Sequence, residues 1–261
     1  MTGDVGFVDL SLALSLVLIA AGVSRWNRLD LERSILWVSA RSVVQLLAVG
    51  AVLVLLIGPD RPLVGGLGWV VVMVVIAADV VGRRVPDFPG ARRVALGAGG
   101  VAVVVTLLIV FGLGVFPLEG RAVVPVAGMT VGNTLGALVL ALRQCIEAAR
   151  SQRDEIEARL VLGLDADAAA GPIVRRALRD AVTPQVESTR TVGLIALPGT
   201  MTGLILAGVD PVDAVLAQAV VMLMILASVT IAVTLAGRAA VSRLITADLR
   251  LAEVVAHSAA T

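Results

Sequence analysis

The stretch that decides the fold class is "VALGAGGVAVVVTLLIVFGLGVF", residues 94–116, which contains no charged side chain. As an α-helix, a run of about 20 apolar residues crosses the roughly 30 Å hydrocarbon core of a bilayer. The bilayer offers no water to the backbone, so every N–H and C=O group there needs a partner within the chain, which favours a helix. The run therefore predicts a transmembrane helix.

Similar runs recur along the chain, which has 261 residues, 58% of them hydrophobic and only 16% charged, with a mean hydropathy of +0.99. Soluble domains carry about a quarter of charged residues. We predict an all-α, polytopic integral membrane protein that forms a single transmembrane domain over residues 1–261. Its seven predicted spans are 7–24, 35–57, 64–82, 94–116, 122–142, 191–208 and 211–236. The sixth is the weakest, because it is short and contains Pro198.

The distribution of arginine predicts the orientation. Eighteen arginines lie in the connections after the first, third and fifth spans and in the tail, whereas only Arg61 and Arg121 lie on the other side. Cytoplasmic loops carry an excess of basic residues. We therefore expect the N-terminus outside, the C-terminus inside and the long connection 143–190 in the cytoplasm. We find no convincing internal repeat, so any two-fold symmetry of the kind seen in transporters would come from a homodimer.

The composition excludes several function classes. Cys145 and His257 are the only residues of their types, so an internal disulfide, a cysteine zinc site and a histidine metal cluster are excluded. The chain has no lysine, and a P-loop needs one to reach the nucleotide phosphates. ATP hydrolysis would therefore need a separate chain. The spans hold no cluster of acid, base and nucleophile, which argues against an enzyme. The net charge of +1 gives no indication of nucleic-acid binding.

A polar block interrupts the apolar pattern at "EIEARLVLGLDADAAAGPIVRRALRD", residues 155–180. It predicts two amphipathic helices. The first ends at Gly163, and the second begins near Pro172 and ends at Pro184. One interpretation is a docking element for a cytoplasmic partner. The other is a pair of solvated or membrane-surface helices whose arginines face anionic lipid.

Polar residues inside the predicted spans are candidates for a translocation pathway, because ionisable and amide side chains are costly in lipid and face a partner or a cavity. Structural pairing and packing are the alternatives for each. The candidates are Arg41, Gln45, Asn133, Thr134, Pro198, Met201, Thr202 and Gln218. We expect Pro198-Gly199 to break or kink the sixth span. No carboxylate is expected near the midplane, which counts against tight binding of a hard cation.

Small and charged residues predict two packing features. Gly128, Gly132 and Gly136 recur at four-residue spacing, which allows another helix to approach closely. Asp79 lies one turn before Arg83 near the predicted inner interface, and the spacing predicts an ion pair.

Five stretches together resemble the FetB-like family of ABC transporter permeases. They are "ARSVVQLLAVG" (40–50), "GMTVGNTLG" (128–136), "RDEIEARLVLG" (153–163), "TPQVESTRTVGLIALPGTMTGLILAG" (183–208) and "DPVDAVLAQ" (210–218). The resemblance covers nearly the whole chain. It implies a polytopic helical permease of the inner membrane and a separate ABC ATPase as partner. A bacterial member is linked to iron export and plant relatives to aluminium tolerance.

The spacing of Glu157-Ala158, Gly163 and Ile173 resembles the EAA loop of ABC permeases, whose short coupling helix sits in a cleft of the ATPase. The match is partial, because Arg159 replaces the second alanine and no Leu-Pro follows Ile173.

By position, Arg41 and Gln45 match the family's Arg-x-x-x-Gln and Asn133 its Gly-Asn. Pro198, Met201 and Thr202 match its Pro-Gly-x-Met-Thr-Gly, and Gln218 matches a polar position near the end. Four positions depart from the family pattern: Glu187, Thr200, Leu204 and Ala217. These departures put iron as the substrate in doubt.

We therefore expect the membrane-spanning permease subunit of an ABC transporter, acting as a homodimer and exporting an iron-like metal ion. ATP would be bound by the partner subunit and no cofactor by this chain. The alternatives are a stand-alone ion-coupled secondary transporter and an ABC permease for a non-metal small solute.

Overall fold

The computed structural model describes residues 7–56, 63–193, 197–246 and 248–252. The chain divides into two compact units, Met1–Arg61 and Pro62–Thr261. In the first unit, α1 (Phe7–Trp26) and α2 (Glu32–Leu56) form a helical hairpin. Arg28 and Asp30 in its turn have a φ of 53°, and the backbone N–H of Leu31 donates to Ser24 Oγ at 3.3 Å.

The second unit is also helical. Its helices are α3 (Leu63–Arg84), α4 (Ala91–Val94), a π-helical turn (Ala95–Gly99), α5 (Gly100–Gly112), α6 (Gly120–Ser151), α7 (Arg153–Val161), α8 (Ala166–Thr191), α9 (Gly199–Leu206) and α10 (Pro211–Leu244). An isolated antiparallel bridge joins Ile245 and Leu251. The predicted all-α class is confirmed.

Five of the described helices are long and apolar enough to cross a membrane: Glu32–Ala51, Leu63–Arg84, Ala91–Gly112, Gly120–Ser151 and Pro211–Leu244. The apolar part of α1 within the described residues is shorter, Leu14–Trp26. The polytopic architecture is therefore confirmed, while the number seven and the orientation of the termini stay predictions.

The predicted sixth span, 191–208, is not one helix. α8 ends at Thr191, α9 begins at Gly199 and has only eight residues, and residues 194–196 lie outside the described ranges. The break predicted at Pro198-Gly199 is present: Pro198 is extended at ψ 144° and caps the N-terminus of α9. An eight-residue helix is about 12 Å long, which is too short to cross the hydrocarbon core alone.

The second helix of the polar block differs from its prediction at both ends, because it begins at Ala166, before Pro172, and ends at Thr191. Gly163 has a φ of 85° and follows the last turn of α7, as predicted. Pro184, however, does not end the second helix, which runs through both Pro172 and Pro184 to Thr191. Both prolines are exposed, so their rings lie on the side of the helix away from its packed face. The backbone hydrogen bond that each proline removes is thus lost on the open side of α8.

α8 is held between α6 and α10. Ile173, Val174 and Ala177 belong to one buried core cluster with Leu142 of α6 and Leu244 of α10. Further along α8, Ala181 shares a second cluster with residues of both helices: Ala141, Val229 and Val233. These residues of α6 and α10 belong to the predicted fifth and seventh spans. The second half of α8 therefore runs alongside transmembrane helices.

The loop between α3 and α4 is fixed at the same end of the bundle. Arg143 donates to the carbonyl oxygen of Arg84 at 2.8 Å, and Arg150 pairs with Asp87 at 3.2 Å. Phe88 is only 2% exposed, so the loop is anchored by burial as well as by hydrogen bonds.

The predicted ion pair on α3 is confirmed. Arg83 Nε lies 2.8 Å from Asp79 Oδ2, and Arg92 approaches the other carboxylate oxygen at 3.6 Å.

Candidate functional site

The tip of the polar block is the turn between α7 and α8, and it exposes apolar side chains. Val161 is 87% exposed and Leu162 79%, and both Ala158 and Gly163 are exposed beside them. Sequence reasoning had selected Ala158 and Gly163 but missed Val161 and Leu162. The sequence does contain a signal for them, because two large aliphatic residues directly precede the helix-ending Gly163 in a polar segment.

Beneath this tip, α7 is attached firmly to α8. Ile156 is fully buried in the main core cluster, and Arg159 donates to the carbonyl oxygen of Ala169 at 3.1 Å. Glu157, a predicted coupling residue, accepts a hydrogen bond from Arg153 Nε at 2.7 Å. The turn is therefore a rigid projection from α8.

Ile173 does not lie at the tip with the other predicted coupling residues. It is 4% exposed and packs in the core cluster, so its direct contribution is to hold α8 against its neighbours. Any contribution of Ile173 to coupling would act through that packing.

The polar pathway candidates of the second unit lie in several separate places. Thr134 belongs to an internal seam between α6 and α10, where its hydroxyl lies 3.0 Å from Ser228 Oγ and both residues are buried. One turn along, Thr130 Oγ1 lies 3.8 Å from Met224 Sδ. Hydroxyl pairs of this kind stabilise contacts between membrane helices. Sequence reasoning did not select Ser228 and Met224, which are 94 residues from their partners.

Asn133 lies on the other side of α6. Its side chain is exposed, and its amide donates to the carbonyl oxygen of Met129 at 2.8 Å. Gly132 and Gly136 lie on this open face, where an added Cβ would meet no atom within 4 Å, whereas one at Gly128 would meet Met73 Cε at 3.4 Å. Only Gly128 of the predicted stripe thus packs against another described helix.

Gln218, near the start of α10, is 8% exposed, and its side-chain carbonyl oxygen is buried without a hydrogen-bond partner among the described residues. In α9, Thr202 donates its hydroxyl to the carbonyl oxygen of Pro198 at 3.2 Å, which stabilises the start of the helix. Met201 is half-buried on the same short helix.

Two pathway candidates belong to the first unit. Arg41 and Gln45 are both exposed and lie one turn apart on α2. Ser42, between them, donates to the carbonyl oxygen of Ser39 at 2.8 Å. Their role in a pathway stays a prediction.

Across the described residues, no group of three or more histidine, cysteine, aspartate and glutamate side chains could hold a metal ion.

The apolar spans and the buried polar seam between them define a multi-pass α-helical membrane protein. The chain belongs to the UPF0014 family of membrane proteins: the family model described as Uncharacterised protein family (UPF0014) matches residues 7–245. The predicted resemblance to FetB-like permeases is confirmed by the relatives described next. No solved structure matches the chain.

Three curated relatives illustrate the range of the family. The chain is 34% identical over 230 residues to the probable iron export permease protein FetB of Escherichia coli (strain K12), covering 87% of the chain and 88% of the relative. It is 34% identical over 231 residues to UPF0014 membrane protein STAR2 of Oryza sativa subsp. japonica, covering 87% and 79%. It is 32% identical over 234 residues to Protein ALUMINUM SENSITIVE 3 of Arabidopsis thaliana, covering 87% and 82%.

Proposed function

We propose that this chain is the membrane-spanning permease subunit of an ABC transporter of the inner membrane that exports a metal ion. ATP is hydrolysed by a separate ATPase subunit, and two copies of the permease form a homodimer. The name of the Escherichia coli relative, a probable iron export permease, supports the transport class and the cargo. The absence of lysine supports a separate ATPase, because this chain cannot form a P-loop.

The observation that carries the proposal is the exposed apolar turn on a rigid support. Val161 and Leu162 are 87% and 79% exposed at the turn between α7 and α8. Ile156, in α7 beneath this turn, is fully buried. Exposed aliphatic side chains grouped beside charged residues are typical of a protein interface. We assign this turn, with Glu157, Ala158 and Gly163, to the contact with the ATPase.

The packing of α8 supports a mechanical role for the turn. α6 has 32 residues and α10 has 34. At 1.5 Å per residue they are about 48 and 51 Å long, longer than the roughly 30 Å hydrocarbon core. α8 packs against both, so displacement of the turn by an ATPase would shift α6 and α10 rather than bend a flexible loop.

The open face of α6 supports the homodimer. Gly132 and Gly136 are exposed on a helix whose opposite face is closely packed. Small residues on a membrane helix allow close approach of a second helix.

The proposal is tested by co-purification of this chain with the ABC ATPase encoded nearest to its gene. Leu162→Asp should reduce recovery of the ATPase at least about tenfold, as expected for a central interface residue. The matched control is Leu113→Asp, since Leu113 is also exposed, 77%, but lies in the turn after α5.

Equal recovery with both variants would remove the turn from the interface. Failure of the wild-type chain to bind any ATPase would leave the stand-alone secondary transporter as the better explanation.

A further inference from the structure

The outer face of α8 carries a line of polar side chains. Arg176, Asp180, Thr183, Glu187 and Thr191 recur every three or four residues, so they form one stripe along the helix. The first four are exposed beside the face of α8 that is buried against α6 and α10, and Arg176 and Asp180 border a cavity shared with α6. The stripe therefore borders open space from Arg176 to Glu187.

The depth of this stripe follows from the register of α8. Leu178 lies directly against Gly237, close to the predicted inner end of the seventh span at residue 236, and Ala181 shares a cluster with Ala141, close to the inner end of the fifth span. Glu187 lies nine residues beyond Leu178 and six beyond Ala181. At 1.5 Å per residue, Glu187 is about 9 to 14 Å inside the predicted inner boundary.

Glu187 is not buried by its own chain. It pairs with Arg190 at 3.0 Å, and the two side chains remain 51% and 69% exposed. Charged side chains at membrane depth face a water-filled cavity or a protein partner, because exposure to acyl chains is costly. The expectation from the sequence that no carboxylate lies near the midplane stays a prediction, and Glu187 is the carboxylate that α8 carries furthest inside the predicted inner boundary.

The stripe begins at a cavity on the cytoplasmic side. This cavity, about 260 Å³, lies between α6 and α8 and is bordered by Gln144, Glu147 and Asp180, with Arg176 at its edge. The side-chain carbonyl oxygen of Gln144 is buried there without a partner among the described residues. The cavity is thus bordered by the carboxylates of Glu147 and Asp180, the side-chain carbonyl oxygen of Gln144 and one guanidinium, that of Arg176. Carboxylate and carbonyl oxygens are the ligands that divalent cations prefer.

α6 supplies a second polar residue at the depth of Glu187. The two helices run antiparallel, since the cavity is shared by residues 144–152 of α6 and 173–180 of α8, and the next cluster joins the earlier Ala141 to the later Ala181. Asn133 is eight residues from Ala141 and Glu187 six from Ala181. Asn133 and Glu187 therefore lie about 12 Å and 9 Å from the cluster of Ala141 and Ala181, in the same direction along the two helices. Their depths thus differ by about 3 Å.

We propose that Glu187 is the cation-binding carboxylate of the translocation pathway, in a water-filled cleft between α6 and α8 that opens to the cytoplasm at Glu147 and Asp180. The inference rests on the proposed metal permease and adds a residue to its pathway. The ligand class is a divalent cation held by carboxylate, amide and hydroxyl oxygens. Arg190 occupies the carboxylate when the cation is absent and is displaced from it when the cation binds.

The cleft is tested by thiol labelling of the full chain in inside-out vesicles, in a Cys145→Ala background. A charged, membrane-impermeant methanethiosulfonate should modify Thr183→Cys and Glu187→Cys. Leu108→Cys, which is 67% exposed on α5, and Val229→Cys, which is fully buried, are the controls and should not react. Lack of reaction at both cleft positions would overturn the proposal, since lipid or a second copy would then cover the stripe.

The carboxylate is tested by protection. Mn²⁺ should slow the labelling of Thr183→Cys, because the bound ion would block the access of the reagent to the neighbouring thiol. Glu187→Gln should abolish the protection and Glu187→Asp should retain it. Arg190→Gln should lower the Mn²⁺ concentration required. Protection that is unchanged by Glu187→Gln would overturn the assignment.

Failure of the proposed function gives a different result. If the chain binds no ATPase and exports no metal from cells, but Glu187-dependent protection by Mn²⁺ persists, the site stands and the ABC permease assignment is wrong. If ATP-driven export is found and Glu187→Gln exports as well as the wild type, the site is wrong and the permease assignment stands.

Discussion

Leu178 of α8 occupies the space that Gly237 leaves on α10 by having no side chain. A Cβ at position 237 would overlap Leu178 Cδ1 and approach Cγ at 3.1 Å and Cδ2 at 3.2 Å. The whole isobutyl group would have to move to admit one methyl group. This close fit between α8 and α10 fixes the register of the two helices.

Gly237→Ala should therefore destabilise the protein by about 1–3 kcal/mol, the usual cost of overpacking a closely packed contact. The measurement is thermal unfolding in detergent. Gly112→Ala is the control, because a Cβ at Gly112 would meet no atom within 4 Å. Leu178→Ala should relieve the clash, so the double variant should be more stable than Gly237→Ala alone. Equal unfolding temperatures for the Gly237 and Gly112 variants would contradict the close fit.

The hydroxyl pair between Thr134 and Ser228 should stabilise the contact between α6 and α10. A double-mutant cycle with Thr134→Val and Ser228→Ala should give a coupling energy of about 0.6 kcal/mol, the average for such pairs in a membrane protein. Thr230→Val is the comparison, because Thr230 is exposed and bonds to its own helix at the carbonyl oxygen of Leu226. Coupling between Thr134 and Thr230 of the same size would show that the Ser228 contact is not specific.

The open glycines of α6 should affect self-association more than folding. Gly132→Leu adds a side chain where no atom lies within 4 Å, so the single chain should unfold at its normal temperature. If the face meets a second copy, the dimer fraction should fall in light scattering of the detergent complex. Gly128→Leu should instead destabilise the chain itself, because Met73 Cε lies 3.4 Å from the Cβ position. An unchanged dimer fraction for Gly132→Leu would move the interface elsewhere.

Local features of the fold could be predicted from the sequence because they depend on short spacings. The ion pair of Asp79 with Arg83 follows from a four-residue separation on a helix, and the end of α7 follows from a glycine that can take a positive φ. Apolar run length predicted the transmembrane class in the same way, because the thickness of the bilayer sets it.

The route of α8 could not be predicted in this way. Pro184 is a strong helix-ending signal, yet the helix continues because the proline lies on the open face while Ala181 and Val182 pack against two neighbours. Tertiary packing thus outweighed the local preference. The same error left Glu187 in a connecting loop, whereas it lies on the continuous helix α8.

Partners distant in sequence were also beyond prediction. Thr134 was selected as a polar residue in a span, but nothing near it indicates Ser228, which is 94 residues away. The distinction between Thr134, inside the seam, and Asn133, on the open face, depends on where α10 packs. One residue along a helix turns a side chain by about 100°, so adjacent polar residues can serve different purposes.

The separation of the exposed turn from the buried support beneath it has an evolutionary consequence. Val161 and Leu162 touch little of their own chain, whereas Ile156, Leu178 and Ala181 hold the segment in place. Substitutions in the turn can therefore accumulate without disturbing the membrane-level core. In the proposed transporter, the contact with the ATPase could therefore change through a few surface residues while the packing of α6, α8 and α10 stays the same.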